Sequence, residues 1–119
     1  MNTKHRGDHG EDVAAEYLKN TGHHILKRNL RCRSGEVDIV VYRDDRLIFV
    51  EVKHWLTIPI HDLEQSITAA KRSRILGCAR EFLAAHPEWT KFRIRFDIVH
   101  IGPEKITHFN DAFTESGFQ

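Results

Sequence analysis

Long apolar runs are missing from this 119-residue sequence, and nothing in it approaches the roughly 20 consecutive apolar residues that a membrane-crossing helix needs. The opening MNTKHRGDHGED also lacks the apolar segment of a signal peptide, so the expectation is a cytoplasmic protein with no membrane partner. Cysteine is scarce. Cys32 and Cys78 lie far apart without CxxC spacing, which suggests neither a zinc site nor a disulfide framework and reads both as small core residues. The nine histidines, His23-His24 included, show no metal-ligand spacing and are given no role. There is no glycine-rich phosphate loop, which counts against a nucleotide-directed hydrolase. No helix-turn-helix, zinc finger or other base-reading module is visible either. No repeat or linker interrupts the chain, and residues 1–119 read as a single domain with one core. An excess of one charge is also absent: at a net charge of +1, bulk charge does not make the molecule a nucleic-acid binder.

What is present is a concentrated pattern between Gly35 and Trp55, GEVDIVVYRDDRLIFVEVKHW. Two apolar runs, Val37 to Tyr42 and Leu47 to Val52, flank the polar RDDR, which predicts two strands joined by a short hairpin. With Asp44 and Asp45 as the turn, Arg43 faces Arg46, Val40 faces Phe49, Asp38 faces Glu51 and Glu36 faces Lys53. Alternation puts Val37, Ile39, Val41, Ile48, Val50 and Val52 on one apolar face. The other face begins apolar and turns ionic at the open end, with Glu36, Asp38, Glu51 and Lys53. Directly opposed carboxylates would have Cβ atoms roughly 5 Å apart, and like charges so placed are destabilising. A hard divalent cation between Asp38 and Glu51, with the Lys53 ammonium beside it, resolves the conflict. The plainer alternative is a solvated charge cluster in which Lys53 pairs with Glu51 or Glu36.

Asp38 followed by Glu51-Val52-Lys53 resembles the D…ExK signature of the PD-(D/E)XK nuclease superfamily. More closely, the chain is similar to the YraN family of predicted endonucleases. That resemblance is carried by Gly10-Glu11 with Ala14, Ala15 and Leu18; Ile25-Leu26 with Arg28, Asn29 and Arg31; GEVDIVV; LIFVEVK; Lys71 and Arg74; and RFDIV ending at Val99. One departure stands out: the position after the ExK lysine is often basic in the family, and here it is His54 followed by Trp55. The resemblance implies a restriction-endonuclease-like fold and Mg²⁺-dependent hydrolysis of phosphodiesters, with Mn²⁺ as a substitute. It implies DNA rather than RNA as partner, and homodimers are common among related resolvases, although the sequence itself leaves dimerisation open.

The remaining chain supplies candidates around this centre. A helix is predicted from about Asp8 to Asn20, stopped by Gly22. Glu11 falls on its small apolar face with Ala14, Ala15 and Leu18, either as half of a capping box with Asp8 or as a third acid aimed at the hairpin site. His24 to Cys32 reads as an edge strand whose cations, Lys27, Arg28, Arg31 and Arg33, discourage self-pairing; Arg28 and Arg31 are also candidate nucleic-acid contacts. Leu56 to His61 reads as a loop. A second helix is predicted from Asp62, capped with Gln65, to about Ala85, where His86-Pro87 ends it. Its stripe is Leu63, Ile67, Ala70, Ile75, Cys78 and Phe82. Lys71 and Arg74 fall inside that stripe, either snorkelling to water or reaching acids or phosphate. Gly77, mid-helix, marks close packing or a bend. Phe92 to Ile101 is predicted as a strand parallel to the second hairpin strand through a right-handed crossover, with Asp97 read as structural. Lys105 to Phe113 adds a short edge strand, and Thr114 to Gln119 is expected to fray.

These readings predict an α/β fold, a mixed β-sheet flanked by helices in the order α-β-β-β-α-β-β. Asp38 and Glu51, with the Val52 carbonyl, are the expected metal ligands, and Glu11 the supporting acid. Lys53 is the expected catalytic amine, and Lys71, Arg74, Arg28 and Arg31 the expected phosphate contacts. The substrate expected is a DNA structure such as a junction, flap or end rather than a base sequence. The alternative is a nucleic-acid-binding or partner-docking module that keeps the fold without turnover.

Overall fold

The computed structural model describes residues 3–54 and 67–113. Its elements run α1 (Thr3–Asn20), β1 (His24–Arg31), β2 (Glu36–Arg43), β3 (Arg46–His54), α2 (Ala69–Ala85), a 3₁₀ turn (Pro87–Trp89), β4 (Arg93–Ile101) and β5 (Ile106–Phe109). This is the predicted mixed α/β order of helices and strands. The strands form one five-stranded sheet in sequence order. All neighbours are antiparallel except β3 and β4, which are parallel and connected through α2.

The hairpin register is the one the turn residues dictate: Ile39 opposes Val50, Val40 opposes Phe49, and Arg43 opposes Arg46. Because the sheet has helices on both faces, each face has its own core. On the α1 face, Ala14, Ala15 and Leu18 pack on Ile39, Val41, Ile48, Val50, Val52, Val99 and Ile101. On the α2 face, Ile75, Cys78, Ala79 and Phe82 pack on Val40, Leu47, Phe49, Phe96 and Ile98. Aromatic rings fill this second core, with Phe49 and Phe96 stacked at 5.6 Å and Phe96 and Phe113 at 5.4 Å. Val37 departs from the expected alternation. It lies beyond the last β2–β3 pair, across from Leu30, and belongs to the α2-side core.

Both helix starts differ from expectation. Helix α1 begins at Thr3, so Asp8 is an interior residue and Glu11 is not half of a capping box. Its end is as predicted: Gly22 takes φ 88°, while the His23 and Gly22 amides donate to the Leu18 and Lys19 carbonyls at 2.9 and 3.1 Å, the paired bonds of a glycine-terminated helix. Helix α2 starts only at Ala69, capped by the Thr68 hydroxyl, which accepts the Lys71 amide at 3.1 Å. The predicted Asp62–Gln65 cap and the Leu56 to His61 loop lie outside the described residues, as do Leu63 and the tail from Thr114. Ala70, placed in the apolar stripe by periodicity, is exposed.

Candidate active site

At the open end of the hairpin the ladder gives way to side-chain bonding. The Asp38 carboxylate accepts the Val52 amide at 2.7 Å, just beyond the Ile39–Val50 pair. Asp38 and Glu51 come close enough for their carboxyls to share a hydrogen bond, and Glu51 is buried, at 4% exposure. Burial, then the Glu51 charge, pushes the Asp38 carboxyl up to about 8, with Glu11 adding to the effect. The Asp38 carboxyl is therefore held far above the usual carboxylate range, as befits an acid desolvated beside another acid.

Two amines attend the pair. Lys71 of α2 is ion-paired with Glu51, and Lys53 lies 3.9 Å from the same oxygen. Burial would lower the Lys71 pKa, but its bond to Glu51 and the surrounding acids outweigh that and raise it. Lys53 is held below the usual lysine range, by burial first and then by the adjacent Lys71 ammonium. Of the two outcomes foreseen for Lys71, reaching an acid is the one realised.

Asp38, Glu51, Lys71, Arg74 and Arg31 line a single cavity of about 510 Å³. Glu36, expected to face Lys53, instead pairs in register with Arg31, 3.8 Å away. Strand β2 exchanges its ladder bonds with β1 at that point, having already left β3. Glu11 does turn toward the site, as its place on the apolar face of α1 allowed. The Asn29 side chain, its amide nitrogen toward the acid, donates to both Glu11 oxygens at 3.0 and 3.2 Å. Asn29 takes φ 53° to do so, a left-handed conformation that asparagine tolerates. Arg28 lies outside the cavity lining and pairs with Asp12 at 2.7 Å and with Glu11 at 3.9 Å.

The Cys32 to Gly35 turn forms one wall of the cavity and is fastened to α2. Cys32 and Cys78 are joined as a disulfide with Cα atoms 5.6 Å apart, which corrects the expectation of no disulfide, while their reading as core residues stands, Cys78 within the α2-side core and Cys32 packed against it. Periodicity placed Cys78 in the apolar stripe of the helix but had no means of showing that the two Cβ atoms converge. Glu81 accepts the Arg33 amide, the Ser34 amide and the Ser34 hydroxyl at 3.0, 3.1 and 2.8 Å. Gly77 lets Ser34 approach: a Cβ there would lie 2.6 Å from Ser34 Oγ. Close packing, not a bend, explains that glycine.

Residues 10–101 match the family described as uncharacterised protein family UPF0102. The chain belongs to that family. This member of UPF0102 is 40% identical over 119 residues to a UPF0102 protein of Lachnoclostridium phytofermentans, covering 98% of this chain and 99% of the relative. It is 42% identical over 113 residues to one from Rhodococcus opacus, covering 90% and 94%. A third relative, from Caldicellulosiruptor bescii, shares 37% over 119 residues, covering 95% and 100%. The matched span contains every candidate residue of the UPF0102 chain named above, from Glu11 to Arg74.

A second polar cluster went unforeseen. Asp97, fully buried in β4, accepts both guanidinium nitrogens of Arg95 at 2.9 Å, the Asp111 amide at 2.9 Å and His108 Nε2 at 2.7 Å. Burial would raise its pKa, but these bonds lower it. His108 Nδ1 in turn meets the Tyr17 hydroxyl at 2.8 Å. Asp97 is structural, as expected, but His108, given no role from spacing, is its partner. No local sequence signal links Tyr17, Asp97 and His108, which come from three separate elements.

Proposed function

We propose that this protein is a metal-dependent endonuclease of the PD-(D/E)XK type, restriction-endonuclease-like in fold. It would hydrolyse phosphodiesters in DNA and select structure over base sequence. The observation that carries the reading is the convergence of half-buried Asp38 and buried Glu51 on one cavity, with the Lys53 and Lys71 ammonium groups beside them. Among the described residues no group of three or more His, Cys, Asp or Glu gathers at ligand distance, so an all-protein cage is not on offer. Mg²⁺ seldom uses one; it is commonly held by one or two carboxylates together with water and substrate phosphate, and the donors here fit that habit. Asp38 and Glu51 would hold Mg²⁺ or Mn²⁺, with the Val52 carbonyl as a further oxygen donor and Glu11 as the supporting acid. When bound, the ion would polarise a non-bridging phosphate oxygen and offset the charge that builds on phosphorus.

The chain's own groups do the rest. Lys53, its ammonium made more acidic by burial and by Lys71, orients the attacking water and assists its deprotonation. Lys71 and Arg74 lie on the helix side of the cavity, where a backbone phosphate would compete with Glu51 for the Lys71 ammonium. Arg31, with 84% of its side chain exposed, extends that cationic rim. Arg28 serves by steadying Glu11.

One observation favours the non-catalytic alternative. The Lys71–Glu51 ion pair already answers part of the Glu51 charge from within the protein, as a binding or docking module would need. Cleavage assays on duplex, single-stranded and branched DNA, with RNA in parallel, across a Mg²⁺ or Mn²⁺ titration decide between them. Metal-dependent cutting of branched DNA that vanishes in Lys53→Ala supports the nuclease. Binding without cutting, equal in wild type and Lys53→Ala, supports the module.

A further inference from the structure

The turn end of the hairpin has an electrostatic conflict of its own. Arg43 and Arg46 are the last opposed pair of the β2–β3 ladder, so two guanidinium stems leave the same face side by side, an arrangement that is unfavourable by itself. The nearby acids do not cancel it. Asp44 reaches Arg43 only at 4.0 Å, Asp45 is drawn to Arg93 at 3.3 Å, and Asp97 is taken up by Arg95 and His108. Among the described residues Arg46 has no ion-pair partner.

These arginines open onto a cavity of about 380 Å³ on the α1 face, walled by Tyr17, His23, His108 and Arg95 as well, with the exposed Asp44 carboxylate at its rim. That size suits a small phosphorylated molecule or a strand terminus. The back wall is fixed: the Asp97 carboxylate holds His108 Nε2, and His108 Nδ1 holds the Tyr17 hydroxyl. The acid takes the Nε2 proton and Nδ1 takes the phenolic one, so both ring nitrogens and the Tyr17 proton are committed within the wall, which fixes its shape and leaves the arginines as the donors that face the cavity. Burial, aided by the Asp97 charge, raises the Tyr17 pKa, so the phenol meets a ligand as a neutral hydroxyl. Arg46, without an ion-pair partner among the described residues, beside Arg43, whose contact with Asp44 is as long as 4.0 Å, gives a concave site two guanidinium groups for a phosphate oxygen cluster, which arginine recognises through paired N–H bonds.

We propose that this cavity is a second, separate site that binds a phosphate group through Arg43 and Arg46, with Tyr17 and His108 as the polar wall. It lies on the opposite face of the sheet from Asp38 and Glu51 and does not rest on the nuclease reading. The phosphate comes either from a free phosphorylated molecule or from the end of a polynucleotide strand.

The test follows the ring NMR signals of His23 and His108 in the full-length protein with chelator present, so that metal chemistry is silent. The probes are inorganic phosphate, a nucleoside monophosphate, and one oligonucleotide with either a terminal phosphate or a terminal hydroxyl. Saturable shifts of both rings are expected, weakened by about tenfold or more in Arg46→Gln and in Arg43→Gln. Because both arginines are exposed, these variants should fold, and unchanged sheet amide signals check that they do. Tighter binding of the phosphate-ended oligonucleotide than of its hydroxyl-ended twin assigns the phosphate to a strand; equal or better binding of the monophosphate assigns it to a small molecule. The proposal is overturned if neither ring shifts with any probe, or if the double arginine variant binds like wild type.

Discussion

The two ends of the β2–β3 hairpin set opposite problems within one short element. At the open end a pair of acids converges, Asp38 and Glu51; at the turn end a pair of arginines does, Arg43 and Arg46. Glu51 is buried and Asp38 half-buried, and Glu51 recruits Lys71 and Lys53 from the protein itself, whereas the arginines remain exposed and find acids only partly. Desolvation explains the contrast. A buried like-charged pair shifts its protonation, while an exposed one is screened by water. On the two proposals made above, each end would take a ligand of the opposite sign, at very different cost to the fold.

The sharpest way to break this contrast is at the acid end. Glu51→Gln should reduce metal-dependent cleavage of branched DNA by about 10³-fold, near the loss expected when a principal electrostatic stabiliser of the transition state is removed. Retained cleavage would show that the converging acids are not the reacting centre. Next in size, Asp97→Ala should lower stability by about 3 kcal/mol or more, since it leaves the Arg95 guanidinium and the Asp111 amide without their buried acceptor. Chemical denaturation measures this loss, and a change under about 1 kcal/mol would show that the wall of the arginine pocket is not held by that acid.

The raised Asp38 carboxyl gives a pH signature. It binds its proton more tightly folded, at about 8, than at its ordinary 3.8. Its contribution to stability is therefore whole below the lower value and is lost as pH rises through the upper one. In chelator, Asp38→Asn should gain on wild type steadily from mildly acidic to mildly basic pH, and a parallel pair of stability curves would refute the raised carboxyl. Gly77→Ala comes next. Its methyl meets Ser34 Cβ at 2.8 Å as well as Oγ, and a cost of about 1–2 kcal/mol should appear despite alanine's helix preference. Recovery in the double variant with Ser34→Gly would assign the loss to that contact. Smallest of all, Arg46→Gln should stabilise the phosphate-free protein by about 0.5 kcal/mol by relieving the exposed repulsion. A loss of stability instead would mean that Arg46 already has a favourable partner in the fold.

How much of this was legible beforehand depends on the range of the interaction. The hairpin register, the two faces and the parallel β4 were readable because strand alternation and a two-residue turn propagate over neighbouring positions. Asp38 and Glu51 were placed opposite by the same arithmetic. Reading failed where a partner came from a distant element. Glu36 could be matched only with β3 by counting, while β1 competed for it and won. Cys32 and Cys78, 46 residues apart, gave no sign of meeting, and nothing adjacent to His108 pointed to Asp97. The Asp8 cap failed for a different reason: a capping-box pattern also occurs inside a longer helix, where the side chains are free to do other work.

The fastening of the Cys32 to Gly35 turn onto α2 has a mechanical consequence. The helix is pinned from its midpoint at Gly77 to Glu81, while Lys71 rides on the first turn, more than one helical turn upstream of the pin. The helix thus resembles a lever with its fulcrum in the second half, and a small tilt there becomes a larger sweep at Lys71. Reducing the disulfide or lengthening the turn would loosen the fulcrum, and the first sign of slack should be a changed distance between the Lys71 ammonium and Glu51.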